Sequence, residues 1–147
     1  MFFIINFFDM GCIITKIDNE LINSDYKIEH LNIKSQYGKV VEIYDAHNIK
    51  INIKFNGILY KEHCKLNGIR DDEIDYISKK KLIKLTTSLD DNKIQFFIMN
   101  QSNILPYHDR LIYVRTNGRD KYGRTLVTLF TDKESIISIN QQLISIY

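Results

Sequence analysis

Hydrophobic and polar positions fall into their clearest register in the middle of the chain. Ile49, Ile51, Ile53 and Phe55 alternate with Lys50, Asn52 and Lys54. That period of two predicts a strand with one face buried. Asn56-Gly57 follows, the dipeptide that suits a tight type I′ hairpin because both residues tolerate positive φ. A return strand then runs from Tyr60 to Ile69, placing Cys64 and Leu66 on one face and His63, Lys65 and Asn67 on the other.

After the hairpin the pattern changes. Asp71-Asp72-Glu73 opens a helix whose start is acidic and whose continuation is lysine-rich, as the helix dipole favours. Ile74, Ile77, Leu82, Leu85 and Leu89 form its predicted apolar stripe. Ile94–Met99, Leu111–Arg115 and Thr125–Phe130 read as strands, the first two separated by a loop holding the single proline, Pro106. Lys133–Ile146 reads as a helix, and residues 10–37 as an N-terminal arm or an added edge strand. Pattern alone therefore predicts only a small mixed α and β domain.

Composition narrows this modestly. A chain of 147 residues is one domain by size and long enough for a real core. A net charge of +2 is too small to imply a polyanionic partner by itself, so any basic footprint must be local. Cys12 and Cys64 form neither a disulfide framework nor a metal spacing, which points to a reducing, cytoplasmic setting.

Local charge is where the chain becomes specific. Four of its five arginines, Arg110, Arg115, Arg119 and Arg124, crowd around Gly118-Arg119-Asp120-Lys121-Tyr122-Gly123-Arg124. Guanidinium is a planar fork that grips phosphate with paired hydrogen bonds, whereas ammonium is a point charge. The D-K-Y-G-R run, Asp120 to Arg124, resembles a motif of the thermonuclease (staphylococcal nuclease-like) family. Gly38 to Ile51 is similar to that family's first hairpin, with Asp45-Ala46-His47 where the family has D-G-D. Lys65-Leu66-Asn67-Gly68-Ile69-Arg70-Asp71-Asp72-Glu73 resembles its R-L-x-G-I-D-T-P-E, and Ile139 to Leu143 the start of its next helix. The resemblance spans about 38–143 and leaves 94–110 unmatched.

It implies an OB-fold five-stranded barrel over 38–147, with an inserted hairpin near 94–110 and a truncated C-terminal helix. It also implies a phosphodiester-cleaving ancestry that uses Ca²⁺, a glutamate base and two arginines. Glu73 falls on the base and Arg124 on one phosphate-binding arginine. Lys65 falls on the other, keeping charge but losing the bidentate grip. Asp45 matches one calcium ligand, while His47 and Arg70 stand where two further carboxylates are expected. Hard Ca²⁺ needs several oxygen donors, and a guanidinium repels it. The expectation is thus a degraded calcium site with no resident cofactor, and little or no nuclease activity. Arg124, Lys65 and Lys121 would remain as a weak surface for nucleotide phosphate or single-stranded nucleic acid. The rival expectation is an active nuclease with altered metal ligation.

Two further readings follow from the residues themselves. Tyr44, Tyr113 and Tyr122 could stack bases, although tyrosine in strands more often packs. If translation starts at Met10, Met10-Gly11-Cys12-Ile13-Ile14-Thr15 fits a myristoylation pattern on Gly11, with Cys12 suited to palmitoylation and hence to membrane tethering.

Overall fold

The computed structural model describes residues 35–45, 48–70 and 76–144. Five strands, β1 (Ser35–Ile43), β2 (Asn48–Phe55), β3 (Ile58–Leu66), β4 (Ile112–Arg119) and β5 (Thr125–Phe130), close into a barrel in the order β1-β2-β3-β5-β4. β4 returns to β1, pairing Ser35–Gly38 with Ile112–Arg115. Two short helices, α1 (Tyr76–Thr86) and α2 (Asp91–Met99), lie between β3 and β4 in the chain, and α3 (Ile139–Ile144) follows β5. The result is an OB-like barrel, mainly β with helices.

The alternation in β2 builds the interior. Ile49, Ile51 and Ile53 are buried among Val40, Ile43, Cys64, Leu66, Val127 and Leu129, while Lys50 and Lys54 face outward. Asn56 and Gly57 adopt φ of 51° and 77°, the paired positive values of a type I′ turn. That two-residue turn sets an unshifted register in which Phe55 faces Ile58 and Lys50 faces His63. Gly38 lies tight against this core: a Cβ there would come within 2.9 Å of Ile51 Cγ2 and 3.1 Å of the Asn52 carbonyl. Only a residue without a side chain lets β1 approach β2 so closely.

One seam differs from the rest. β3 and β5 run parallel and share three pairs, Cys64 with Thr125, Lys65 with Leu126 and Leu66 with Val127. Asn140 on α3 reinforces the nearby chain ends. Its side-chain amide donates to the Asn67 and Val127 carbonyls, both at 2.9 Å, and accepts from the Leu129 N–H at 3.0 Å.

The inserted hairpin expected near 94–110 is instead helix and loop. Ile94–Met99 lies in α2, not in a strand. Asp90 caps that helix, accepting from the Lys93 N–H at 2.8 Å, and Asp91 adds charge to the first turn. Ile94 and Phe97 are buried at helical spacing, whereas Phe96 and Met99 face solvent. The following segment turns back along β1, with Ile43 N–H donating to the Asn103 carbonyl and Leu105 N–H to that of Val41. Lys39, fully buried, donates through Nζ to the His108 carbonyl at 2.5 Å, and the His108 ring contacts the Val40 carbonyl at 2.9 Å. These bonds fasten the loop over the barrel.

The stripe expected for the first helix also shifts. Ser78, Leu82, Ile83 and Thr86 form the buried face of α1, Ile77 is exposed, and Leu89 lies beyond the helix end. Thr86 and Thr87 hydroxyls donate back to the Leu82 and Ile83 carbonyls and close the last turn. Residues 71–75, where the acidic start was expected, lie outside the described residues. The C-terminal helix starts later than the sequence pattern predicts: residues 133–138 form turns and bends, and among the described residues the helix covers Ile139–Ile144.

Candidate functional site

The Asp120–Arg124 turn is built around one carboxylate. Asp120 Oδ1 accepts the backbone N–H groups of Tyr122 and Arg124, both at 2.9 Å. Its Oδ2 accepts Arg124 Nε at 2.7 Å. Gly123, at φ 81°, lets the chain close with its N–H on the Asp120 carbonyl. Burial would raise the Asp120 carboxyl, but the hydrogen bonds from Arg124 and Tyr122 outweigh it and hold the group below its ordinary value.

Arg124 is thereby fixed in place. Its side chain is 16% exposed and its guanidinium lies 5.5 Å from the Tyr122 ring centroid. Among the described residues Arg124 Nε donates to Asp120 Oδ2, which fixes the guanidinium at the turn. Guanidinium is a planar fork suited to an oxyanion.

Arg124, in the β4–β5 turn, ends a row that crosses three strands. Glu42 on β1 pairs with Lys50 on β2, and Lys50 pairs with His63 on β3. Lys50 Nζ lies 3.1 Å from Glu42 Oε2 and 5.5 Å from the Tyr44 ring, whose hydroxyl also donates to Glu42. The hydrogen bond Lys50 donates to Tyr44, with that to Glu42 and the Glu42 charge, raises its pKa despite partial burial. The imidazole of His63 meets Asn48 Oδ1 through Nε2 at 2.5 Å, and its ring centroid is 6.1 Å from that of Tyr44. Partial burial lowers the His63 pKa, and the cations Arg124 and Lys50 lower it further against Asp120 and Glu42.

The residues marked from the sequence divide between this face and elsewhere. Lys121 joins it, with Nζ 5.0 Å from the same Tyr122 ring. Lys65 shares the outward register of β3 with His63, beside Leu126 and one step along the seam from Arg124. Asp45 lies near Lys79, whose Nζ approaches the Tyr44 carbonyl at 3.4 Å, and Arg70 is exposed beyond β3. Gly11, Cys12, His47 and Glu73 lie outside the described residues. The other arginines disperse: Arg110 reaches the Lys84 and Leu85 carbonyls at the end of α1, and Arg115 stacks over Phe130.

His63 and Cys64 point to opposite sides of β3, and no three metal-ligating side chains cluster among the described residues. Burial drives the Cys64 thiol pKa upward, with the charge of neighbouring Glu62 adding to it, so the thiol stays protonated. Tyr113 packs edge-on against Tyr37 at 5.3 Å, while Tyr44 and Tyr122 present exposed rings flanking the charged row. Lys50, His63 and Glu42 were absent from the sequence-derived site. The register imposed by Asn56-Gly57 was the signal that could have found them.

A concavity lies between α2 and the loop that follows it. It measures about 690 Å³ and is lined by Leu89, Phe96, Phe97, Ile104, Leu105 and Tyr107, with Lys93 at its edge. Its walls are mainly apolar, with Asn92, Asn100 and Ser102 among the lining. No helix among the described residues is long and apolar enough to cross a membrane. Comparison with family models, curated proteins and solved structures found no match to this chain.

Proposed function

We propose that this barrel is a divergent thermonuclease-like domain that works as a phosphate-binding module, with little or no nuclease activity. The observation that supports this reading most is Arg124, a guanidinium anchored through Nε by Asp120 and set against the Tyr122 ring at the edge of the charged row. Lys50 and Lys121 supply further positive charge, and the exposed Tyr44 and Tyr122 rings offer faces against which a base can stack. Without a base-reading element, binding is weak, sensitive to salt and nearly independent of sequence.

The reading is tested by titrating a labelled single-stranded oligonucleotide at several salt concentrations. Wild-type protein is expected to bind at low salt and to lose affinity as salt rises, with Arg124→Ala weaker throughout. Equal binding by the two proteins, or none at low salt, removes the proposal. The same preparation is expected not to cleave DNA or RNA when Ca²⁺ is added, because His47 and Arg70 replace carboxylates in the resemblance. Robust cleavage that chelation and Glu73→Gln both abolish would make the protein a nuclease instead.

A further inference from the structure

The charged row on the barrel is balanced in a way that leaves one group in control. Lys50 faces Glu42, and Arg124 faces Asp120, so two cations and two carboxylates oppose one another at close range. His63 lies between them, opposite Lys50 in the β2–β3 register and within electrostatic reach of Arg124. Histidine is the side chain whose ordinary titration falls near neutral pH.

Hydrogen bonding decides which atom of His63 titrates. Asn48 Oδ1 is an acceptor, so the Nε2 that meets it carries the hydrogen. Nδ1 then holds the lone pair of the neutral ring. A lone pair repels an approaching oxyanion, whereas Nδ1–H donates to it. One proton therefore changes this position from a barrier to a contact.

We propose that the Lys50–His63–Arg124 face is a proton-gated oxyanion site, closed while the imidazole is neutral and opened when Nδ1 takes up a proton. The proposal rests on the phosphate-binding reading above and adds its regulation. The ligand is a singly or doubly charged oxyanion, either a free one or the phosphodiester of a single strand. The groups facing His63 are Glu42 and Tyr44 from β1 and the turn after it, Lys50 and Asn48 from β2, and Asp120 and Arg124 from the β4–β5 turn. On its own strand, Lys61 and Lys65 share its outward register. The facing carboxyls of Glu42 and Asp120 are both held below their ordinary value, well under the histidine range. Across the range where His63 titrates, the change in charge belongs to the imidazole.

Linkage fixes the sign. Partial burial, with the neighbouring cations adding to it, holds His63 below its ordinary value, so it is neutral above neutral pH and charges as the medium becomes acidic. An anion seated between Lys50 and Arg124 favours the charged ring, and by reciprocity acid strengthens the anion's binding.

Two probes whose own charge is constant over the range provide the test: sulfate ion and a short thymidine oligonucleotide. Each is titrated into wild type, His63→Gln and Arg124→Ala at about pH 5.5 and about pH 8. Wild type is expected to bind roughly tenfold more tightly at the acid pH, as one added charge at close range implies. His63→Gln should show its weaker, alkaline-like affinity at both pH values. His63 resonances followed by NMR should titrate at higher pH when sulfate is present.

Binding of both probes assigns a general oxyanion site, and binding of the oligonucleotide alone assigns it to a nucleic-acid backbone. Wild-type binding that ignores pH, or a His63→Gln protein that keeps the full pH response, overturns the gate and leaves the phosphate surface standing. Failure of wild type to bind either probe at either pH overturns both. His63 is exposed, so its replacement should preserve the fold, and circular dichroism at both pH values checks this.

Discussion

An Asn140→Leu variant is expected to unfold at a much lower urea concentration than wild type, losing about 3–5 kcal/mol of stability. The two side chains are close in size, so the change removes hydrogen bonds without opening a large hole. Asn140 is 4% exposed and serves three backbone groups, the carbonyls of Asn67 and Val127 and the N–H of Leu129. Leucine would strip the Asn67 carbonyl and the Leu129 N–H of this partner, while the Val127 carbonyl keeps the Asn67 N–H at 2.8 Å, at about 1–3 kcal/mol for each group that finds no water. Because whole domains are stable by only about 5–15 kcal/mol, this one amide carries a large share. An unchanged slope with a lower midpoint is the expected result. A midpoint within experimental error of wild type would mean that α3 contributes little to holding the end of β3 against β5.

The second large effect concerns the close approach of β1 and β2. Ile51→Ala removes a fully buried side chain from the barrel interior and is expected to cost about 2–5 kcal/mol. Gly38→Ala inserts a methyl group 2.9 Å from Ile51 Cγ2 and is expected to cost about 1–3 kcal/mol. The two changes share one space, so the double variant should be more stable than the sum of the single costs predicts. Rescue is partial because the Asn52 carbonyl, 3.1 Å from the new methyl, does not move with the side chain. Strict additivity in denaturation would show that the strands relax apart and that the contact does not limit them.

The strands were readable because their signals are local and doubly determined. In β2 the alternation and the turn agree, and together they set which residues face each other across the hairpin. Counting equal steps back from Asn56-Gly57 pairs Lys50 with His63, although the sequence-derived site stopped at the motif residues. α2 was misread because Gln95-Phe96-Phe97-Ile98-Met99 looks β-prone residue by residue. Its helical spacing is hidden by Phe96 and Met99, apolar residues that face solvent beside the groove. The Asp90 cap was the stronger signal, since a capped start overrides weak intrinsic preference. Arg124 was found by motif, but its restraint by Asp120 depends on a turn geometry that only coordinates reveal. The role of Asn140 joins partners far apart in the chain, and no local pattern encodes such a clamp.

The parallel seam between β3 and β5 gives the charged face a mechanical meaning. Three residue pairs hold it, and parallel pairing is slightly weaker per residue than antiparallel. His63, in the second half of β3, and Arg124, just ahead of β5, each immediately precede the first pair of the seam. An oxyanion gripped by both is a cross-strand staple, joining through its own oxygens two strands that otherwise separate early. Amide exchange should register this directly. Without ligand, the N–H groups of Lys65 to Asn67 and Thr125 to Val127 are expected to exchange through local opening faster than those between β2 and β3. Sulfate at acid pH should slow the seam selectively in wild type and leave it unchanged in Arg124→Ala. A barrel that tightens along one edge when it meets an anion converts occupancy of its surface into rigidity of its wall.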